Sequence, residues 1–171
     1  MSVILHYDLS FKAVEDLAAG LDLATGSTFT HKFTGIAGVL NADSDNEVSK
    51  VWSDNRALAA GTDTIDLTSL ARGSALVAED FTGLYVKFIA VMAPYANTAA
   101  IKVTAGGANG YLLWGSAAGE LNVGAEAVVT MFAAGGPGSP PVVAAGAKNI
   151  TLTSTDLDAT YDILLVAGPI T

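Results

Sequence analysis

The side chains able to do chemistry in this chain of 171 residues are few and poorly grouped. His6 and His31 are its two histidines, and neither stands at a metal-ligand spacing or beside a nucleophile motif, so both read as polar residues of strand faces. Asp43-Ser44-Asp45-Asn46-Glu47 sets carboxylates at alternate positions, from which oxygens could converge on a calcium ion. The calcium-loop pattern is not completed, because the required glycine and the distal bidentate glutamate are missing, and a solvated acidic loop is expected instead. Asp54, Asp63, Asp66, Asp156, Asp158 and Asp162 are dispersed acids among which a glycosidase pair would have to be sought. Aromatic residues make up 8% of the chain and form no cluster that would serve as a sugar-stacking platform. Gly135-Gly136-Pro137-Gly138 lacks the lysine and hydroxyl residue of a phosphate loop. No catalytic residue, metal ligand or cofactor is expected, and the chain reads as a non-enzyme.

Composition narrows the partners. Lys and Arg total 8 against 17 Asp and Glu, a net charge of −9 that repels a phosphate backbone and disfavours nucleic acid. With no cysteine there is no disulfide framework and no thiolate chemistry. The absence of cysteine fits production in a reducing cytoplasm, and the first residues lack the basic start and unbroken apolar run of a signal peptide, so no Sec export is expected. The longest uncharged stretch, residues 127–147, is broken by Gly135, Gly136, Pro137, Gly138, Pro140 and Pro141, which would leave backbone groups unsatisfied in lipid, so no membrane span is expected. The hydrophobic fraction is 51%, but much of it is alanine, and a core short of bulky side chains favours assembly into homo-oligomers.

The elements that must position these groups are strands. Residues 5–11 alternate strictly, with Leu5, Tyr7, Leu9 and Phe11 on one side and His6, Asp8 and Ser10 on the other, which predicts one half-buried strand. Val14, Leu17, Ala18 and Leu21 follow helical spacing and permit a helix of one or two turns. Residues 29–33 form a short alternating run, and residues 36–46 read as loop. Eight further strands are predicted at residues 48–52, 64–70, 84–92, 99–104, 111–114, 127–133, 149–153 and 160–167. The run at 84–92 is apolar on both faces and should be central. Gly106-Gly107-Ala108-Asn109-Gly110 predicts a hairpin-like turn, and residues 133–141 an exposed loop. The expected fold class is all-β, a β-sandwich or jelly roll over residues 51–171, with residues 1–50 as an N-terminal arm and loop region. Trp52 and Trp114 are expected as packing residues, or alternatively as anchors at a subunit contact.

Trp52-Ser53-Asp54-Asn55-Arg56-Ala57-Leu58-Ala59-Ala60-Gly61, with Thr64-Ile65-Asp66-Leu67 after it, resembles a segment of small virion proteins of tailed phages. The resemblance continues through Val86-Lys87-Phe88-Ile89-Ala90-Val91, Gly106-Gly107-Ala108-Asn109, Trp114-Gly115 and Tyr161-Asp162-Ile163-Leu164-Leu165-Val166, and so covers residues 51–167. It implies a structural protein at the capsid surface of the virion. The foremost role is a decoration or cement protein, a trimeric sandwich that binds the major capsid protein and stabilises the expanded shell. A tail, baseplate or fibre-base component is the runner-up, and a carbohydrate-binding or hydrolytic jelly roll is the alternative of another class. By the same analogy the contact residues would be Leu5, Tyr7, Leu9, Phe11, Trp52 and Arg56.

Overall fold

A computed structural model describes residues 4–8, 11–16, 28–33, 37–41, 48–72, 76–113, 118–132 and 140–169. In chain order the strands are β1 (Ile4–Asp8), β2 (Phe11–Asp16), β3 (Thr28–Phe33), β4 (Ala37–Asn41), β5 (Lys50–Ala57), β6 (Thr62–Asp66), β7 (Leu70–Arg72), β8 (Leu76–Glu79), β9 (Tyr85–Met92), β10 (Ile101–Ala105), β11 (Glu120–Val123), β12 (Val128–Phe132), β13 (Asn149–Thr153) and β14 (Thr160–Gly168). The described part is all-β, and every ladder between named strands is antiparallel.

Two four-stranded sheets dominate, one in the order β12-β9-β14-β5 and the other β11-β10-β13-β6. Each strand of the first sheet thus has its chain neighbour at the same position of the second: β12 with β11, β9 with β10, β14 with β13, β5 with β6. One buried cluster draws on both sheets, with Trp52, Ile89, Val91, Tyr161 and Leu165 from one and Ile65, Ile101, Val103, Ile150 and Leu152 from the other. Two sheets sharing one apolar core are compatible with a β-sandwich. The period-two alternation of β13 and β9 supplies the inward row, as in Ile150 and Leu152 or Ile89 and Val91. At about 25 cal/mol per Å² of apolar surface removed from water, this shared burial is the main stabilising term.

Register fixes the two ends. Asn55, Asp162, Met92 and Val128 lie side by side across the first sheet, where β5 and β9 finish and β14 and β12 begin. In the second sheet Thr62 faces Thr153 and Ile101 faces Val123, at the starts of β6 and β10 and the ends of β13 and β11. The four short connections between the sheets, residues 58–61, 93–100, 124–127 and 154–159, therefore gather at one end, here the crossing end. The longer connections belong to the opposite end: 67–84 and 133–148, which also pass between the sheets, and 106–119, which joins β10 to β11 within the second.

Several expectations need correction. Residues 5–11 do not make one strand: β1 ends at Asp8 and β2 begins at Phe11. Val14 sits inside β2, where pairing with Thr30 prevails over helical spacing, while Leu17, Ala18 and Leu21 lie outside the described residues. The stretch read as loop contains β4, which pairs with β1, because Gly38 keeps its backbone ladder groups and can face Tyr7 without a side chain. The predicted run 64–70 is divided between β6 and β7. Residues 111–113 form no strand. Tyr111 points into the core instead, its amide donates to Asn149 O at 2.8 Å, and its hydroxyl accepts the Val86 N–H at 3.0 Å. The strand that follows β10 in the chain and pairs with it is β11, which sequence reading missed because only Leu121 and Val123 alternate in it.

Candidate interaction surface

The crossing end is built from short, interlocked connections. Between β5 and β6 the chain reverses through Ala60 and Gly61, both at positive φ (51° and 77°). A side chain at Gly61 would place its Cβ 2.6 Å from the Ser154 carbonyl oxygen, so glycine is needed there for space as well as conformation. Leu58 N donates to Ala159 O, Ser154 N to Gly61 O, and Ala93 N to Ala127 O. Asn97 bridges to β14 twice, donating from Nδ2 to Thr160 O at 2.8 Å and accepting from Thr160 N at 3.0 Å. The amide and hydroxyl of Thr98 donate to Asp156 Oδ2 at 2.7 and 2.9 Å. Those bonds hold the Asp156 carboxyl below its ordinary range and keep it charged.

Beside this lattice the two edge strands β5 and β6 are joined by an ion pair. Arg56 Nε donates to Asp63 Oδ2 at 2.6 Å and its terminal nitrogen to Oδ1 at 3.0 Å, a two-pronged pairing that suits the planar guanidinium. Asp54 accepts from the other terminal nitrogen at 3.2 Å, and the Tyr161 hydroxyl donates to Asp63 at 2.6 Å. Burial alone would raise the Asp63 carboxyl, but the hydrogen bonds from Arg56 and Tyr161 outweigh it and hold the group below its ordinary value. Burial and the adjacent carboxylate push the Tyr161 hydroxyl well above its ordinary value, so it stays a donor. The cluster ties the edge strands β5 and β6 to each other and to β14.

On the outer face of the first sheet a shallow groove is lined by Ser53, Asn55, Ala90, Met92, Asp162 and Leu164. Asn55 Nδ2 donates to Asp162 Oδ1 across it at 2.8 Å. Farther from the crossings the same face turns apolar, with Val51, Phe88 and Leu164 packed around buried Val48 and Val166. Toward the crossings it opens to solvent, and there the described residues expose their large apolar side chains: Met92 (41%), Tyr95 (78%), Val128 (56%) and Leu157 (59%). Among the described residues no group of three His, Cys, Asp or Glu could hold a metal ion.

The residues singled out in the sequence fall in different places. Trp52 is 2% exposed in the core, and its Nε1 donates to Ala71 O at 2.7 Å, which is the packing role and not a surface one. Arg56 is half-buried in the edge cluster. Leu5 and Tyr7 belong to β1 and Phe11 opens β2, while Leu9, Trp114, the acidic run 43–47 and the glycine-proline stretch 133–139 lie outside the described residues. His6 is in β1 and His31 in β3. Sequence reading missed Tyr95 and Leu157. A usable signal was present: Pro94 and Asn97 bracket Tyr95, and Asp156 and Asp158 bracket Leu157, so each large apolar residue stands inside turn chemistry where no sheet would bury it. The chain matches no protein-family model, no curated protein and no solved structure.

Proposed function

We propose that this chain is a capsid decoration protein of a tailed phage, which binds the outer surface of the head and stabilises the expanded shell. The observation that carries the reading is the strand order, β12-β9-β14-β5 over β11-β10-β13-β6. Read as eight strands in chain order, it supports a jelly-roll reading, an architecture that recurs in viral capsid proteins and lectins. The sequence resemblance to tailed-phage virion proteins selects the first of those settings. The first fifty residues serve as an arm: among the described residues β1 pairs with β4 and β2 with β3, and none of these four pairs with a strand of the two large sheets.

The mechanism is linkage. A ligand that binds the expanded lattice and not its unfolded or unexpanded form stabilises it by RT ln(1 + [L]/Kd), about 2.7 kcal/mol per site at a free concentration of about 100 Kd. Repeated over a shell, that resists the pressure of packed DNA. Acidity keeps the free protein soluble until it docks. Light scattering combined with co-sedimentation tests the reading on empty expanded shells of the encoding phage that lack this protein. A trimer that saturates the shells and raises their melting temperature is the expected outcome. A protein that leaves the shells bare in the pellet overturns the reading.

A further inference from the structure

We propose that the crossing end is the docking face, and that its occupant is a protein surface with an apolar centre and a basic rim; resting on the decoration reading, that surface is presented by the capsid lattice. Single exposed apolar residues are ordinary on any protein, but of the residues whose side-chain burial the structure describes, the four large exposed ones all come from one end. Met92 and Val128 pair directly across the β9–β12 ladder. Tyr95 and Leu157 stand on the connections 93–100 and 154–159, which are tied to each other through Thr98 and Asp156 and to β14 through Asn97. The face is thus ordered before any partner arrives, which lowers the entropy cost of binding.

Charge selects the partner. Glu126, Asp156, Asp158 and Asp162 surround the exposed apolar residues, and none of the four is ion-paired among the described residues. Arg56 and Lys102, which lie near the crossing-end termini of β5 and β10, are already engaged, Arg56 with Asp63 at 2.6 Å and Lys102 with Glu120 at 3.1 Å. A second copy meeting this end about a two-fold axis would set carboxylate against carboxylate, and a phosphate surface or anionic membrane would be repelled in the same way. A basic rim around an apolar patch satisfies both halves of the surface.

Empty expanded shells lacking the protein serve as the probe, with binding curves measured by co-sedimentation for four proteins: wild type, Tyr95→Ser/Leu157→Ser, Glu126→Lys/Asp158→Lys, and Asn122→Ser as a control on the outer face of the other sheet. Circular dichroism establishes that each is folded, and the single variants Tyr95→Ser and Leu157→Ser replace the double one if it is not. Wild type and the control should bind alike, the apolar double variant about tenfold or more weaker, as expected when an aromatic anchor is removed. The charge-reversed variant should also bind more weakly, and wild-type affinity should fall with added salt. Full-strength binding by the apolar variant overturns the docking face and leaves the decoration reading standing. Undiminished binding by the charge-reversed variant overturns the basic rim. A wild-type protein that does not pellet with shells overturns the decoration reading and this proposal together.

Discussion

The two ends of the two-sheet core solve the same closure problem in opposite ways. At the end opposite the short crossings, described residues of the long connections bring their own bulk into the core: Leu67, Leu70, Phe81, Tyr111, Leu113 and Val143 are all buried. The lysines there are paired, Lys148 with Asp66 at 2.5 Å and Lys50 with Glu79 at 3.8 Å, and Lys50 also reaches the Asp80 carbonyl. At the crossing end the connections are too short to cover anything. They bury little beyond Leu58, Ala93 and Ala159, and they turn Tyr95 and Leu157 outward. One end is sealed by apolar side chains and the other is held by main-chain hydrogen bonds and the polar side chains of Asn97, Thr98 and Asp156, a lattice that leaves Tyr95 and Leu157 outside it.

If that contrast is sound, the largest stability losses belong to the sealed end. Phe81→Ala removes a fully buried ring from the connection 67–84, and the cavity and lost transfer energy together should cost about 3–5 kcal/mol. The midpoint of urea unfolding measures it, and a loss below about 1 kcal/mol would mean that the sealed end is not sealed. Tyr111→Phe keeps the ring and removes only the hydroxyl. Tyr111 is buried and its oxygen accepts the Val86 N–H at 3.0 Å, so the variant leaves a buried amide without a partner and should lose about 1–3 kcal/mol. Val86 needs that oxygen because the β9–β14 ladder shifts register beside it: Val166 faces Phe88 and Ala167 faces Val86, which leaves Lys87 as the extra, buried residue of the bulge.

At the crossing end the electrostatic contribution is smaller and pH-dependent. The Asp63 carboxyl is held below its ordinary value of 3.8, so the unfolded chain takes up this proton first as the pH falls. The stability due to the Arg56–Asp63–Tyr161 cluster is therefore fully present above about 3.8 and is lost as the pH drops through the depressed value of the folded state. Because Arg56 is partly open to water, Asp63→Asn should cost only about 1–2 kcal/mol at neutral pH. The difference in unfolding midpoint between wild type and variant should shrink as the pH is lowered below the ordinary carboxylate range. A difference that stays constant to low pH would show that the charge of Asp63 contributes nothing.

The same contrast explains what the sequence disclosed. The central strands were legible, because β9 and much of β14 are apolar on both faces and β13 alternates over its length. Their order was not, since a sheet-to-sheet crossing such as Ala57 to Thr62 looks like any tight turn. Tyr111 was read as a strand residue because an aromatic beside two leucines has the composition of one, and only the fold reveals that its hydroxyl serves a bulge far along the chain. The Arg56–Asp63 pair was within reach of sequence reasoning, as the two residues flank the turn at Ala60 and Gly61. The exposed apolar set was hidden for a deeper reason: Met92 and Val128 sit in otherwise regular strands, and it is the shortness of the neighbouring connections, not their own pattern, that leaves them uncovered.

The smallest expected effect is the most discriminating. Tyr95 is 78% exposed on a connection whose hydrogen bonds come from Asn97, Thr98 and Ala93, so its side chain supports nothing in the free protein. Tyr95→Ser should change the unfolding free energy by less than about 0.5 kcal/mol, the range of surface substitutions away from packing or capping features. A larger loss would place the ring in the same stabilising role as Phe81 and erase the distinction between the ends. A neutral result has the opposite consequence. A tyrosine that contributes nothing to folding still presents apolar surface to water beside carboxylates that lack a paired cation among the described residues, and that combination is what the proposed docking face rests on.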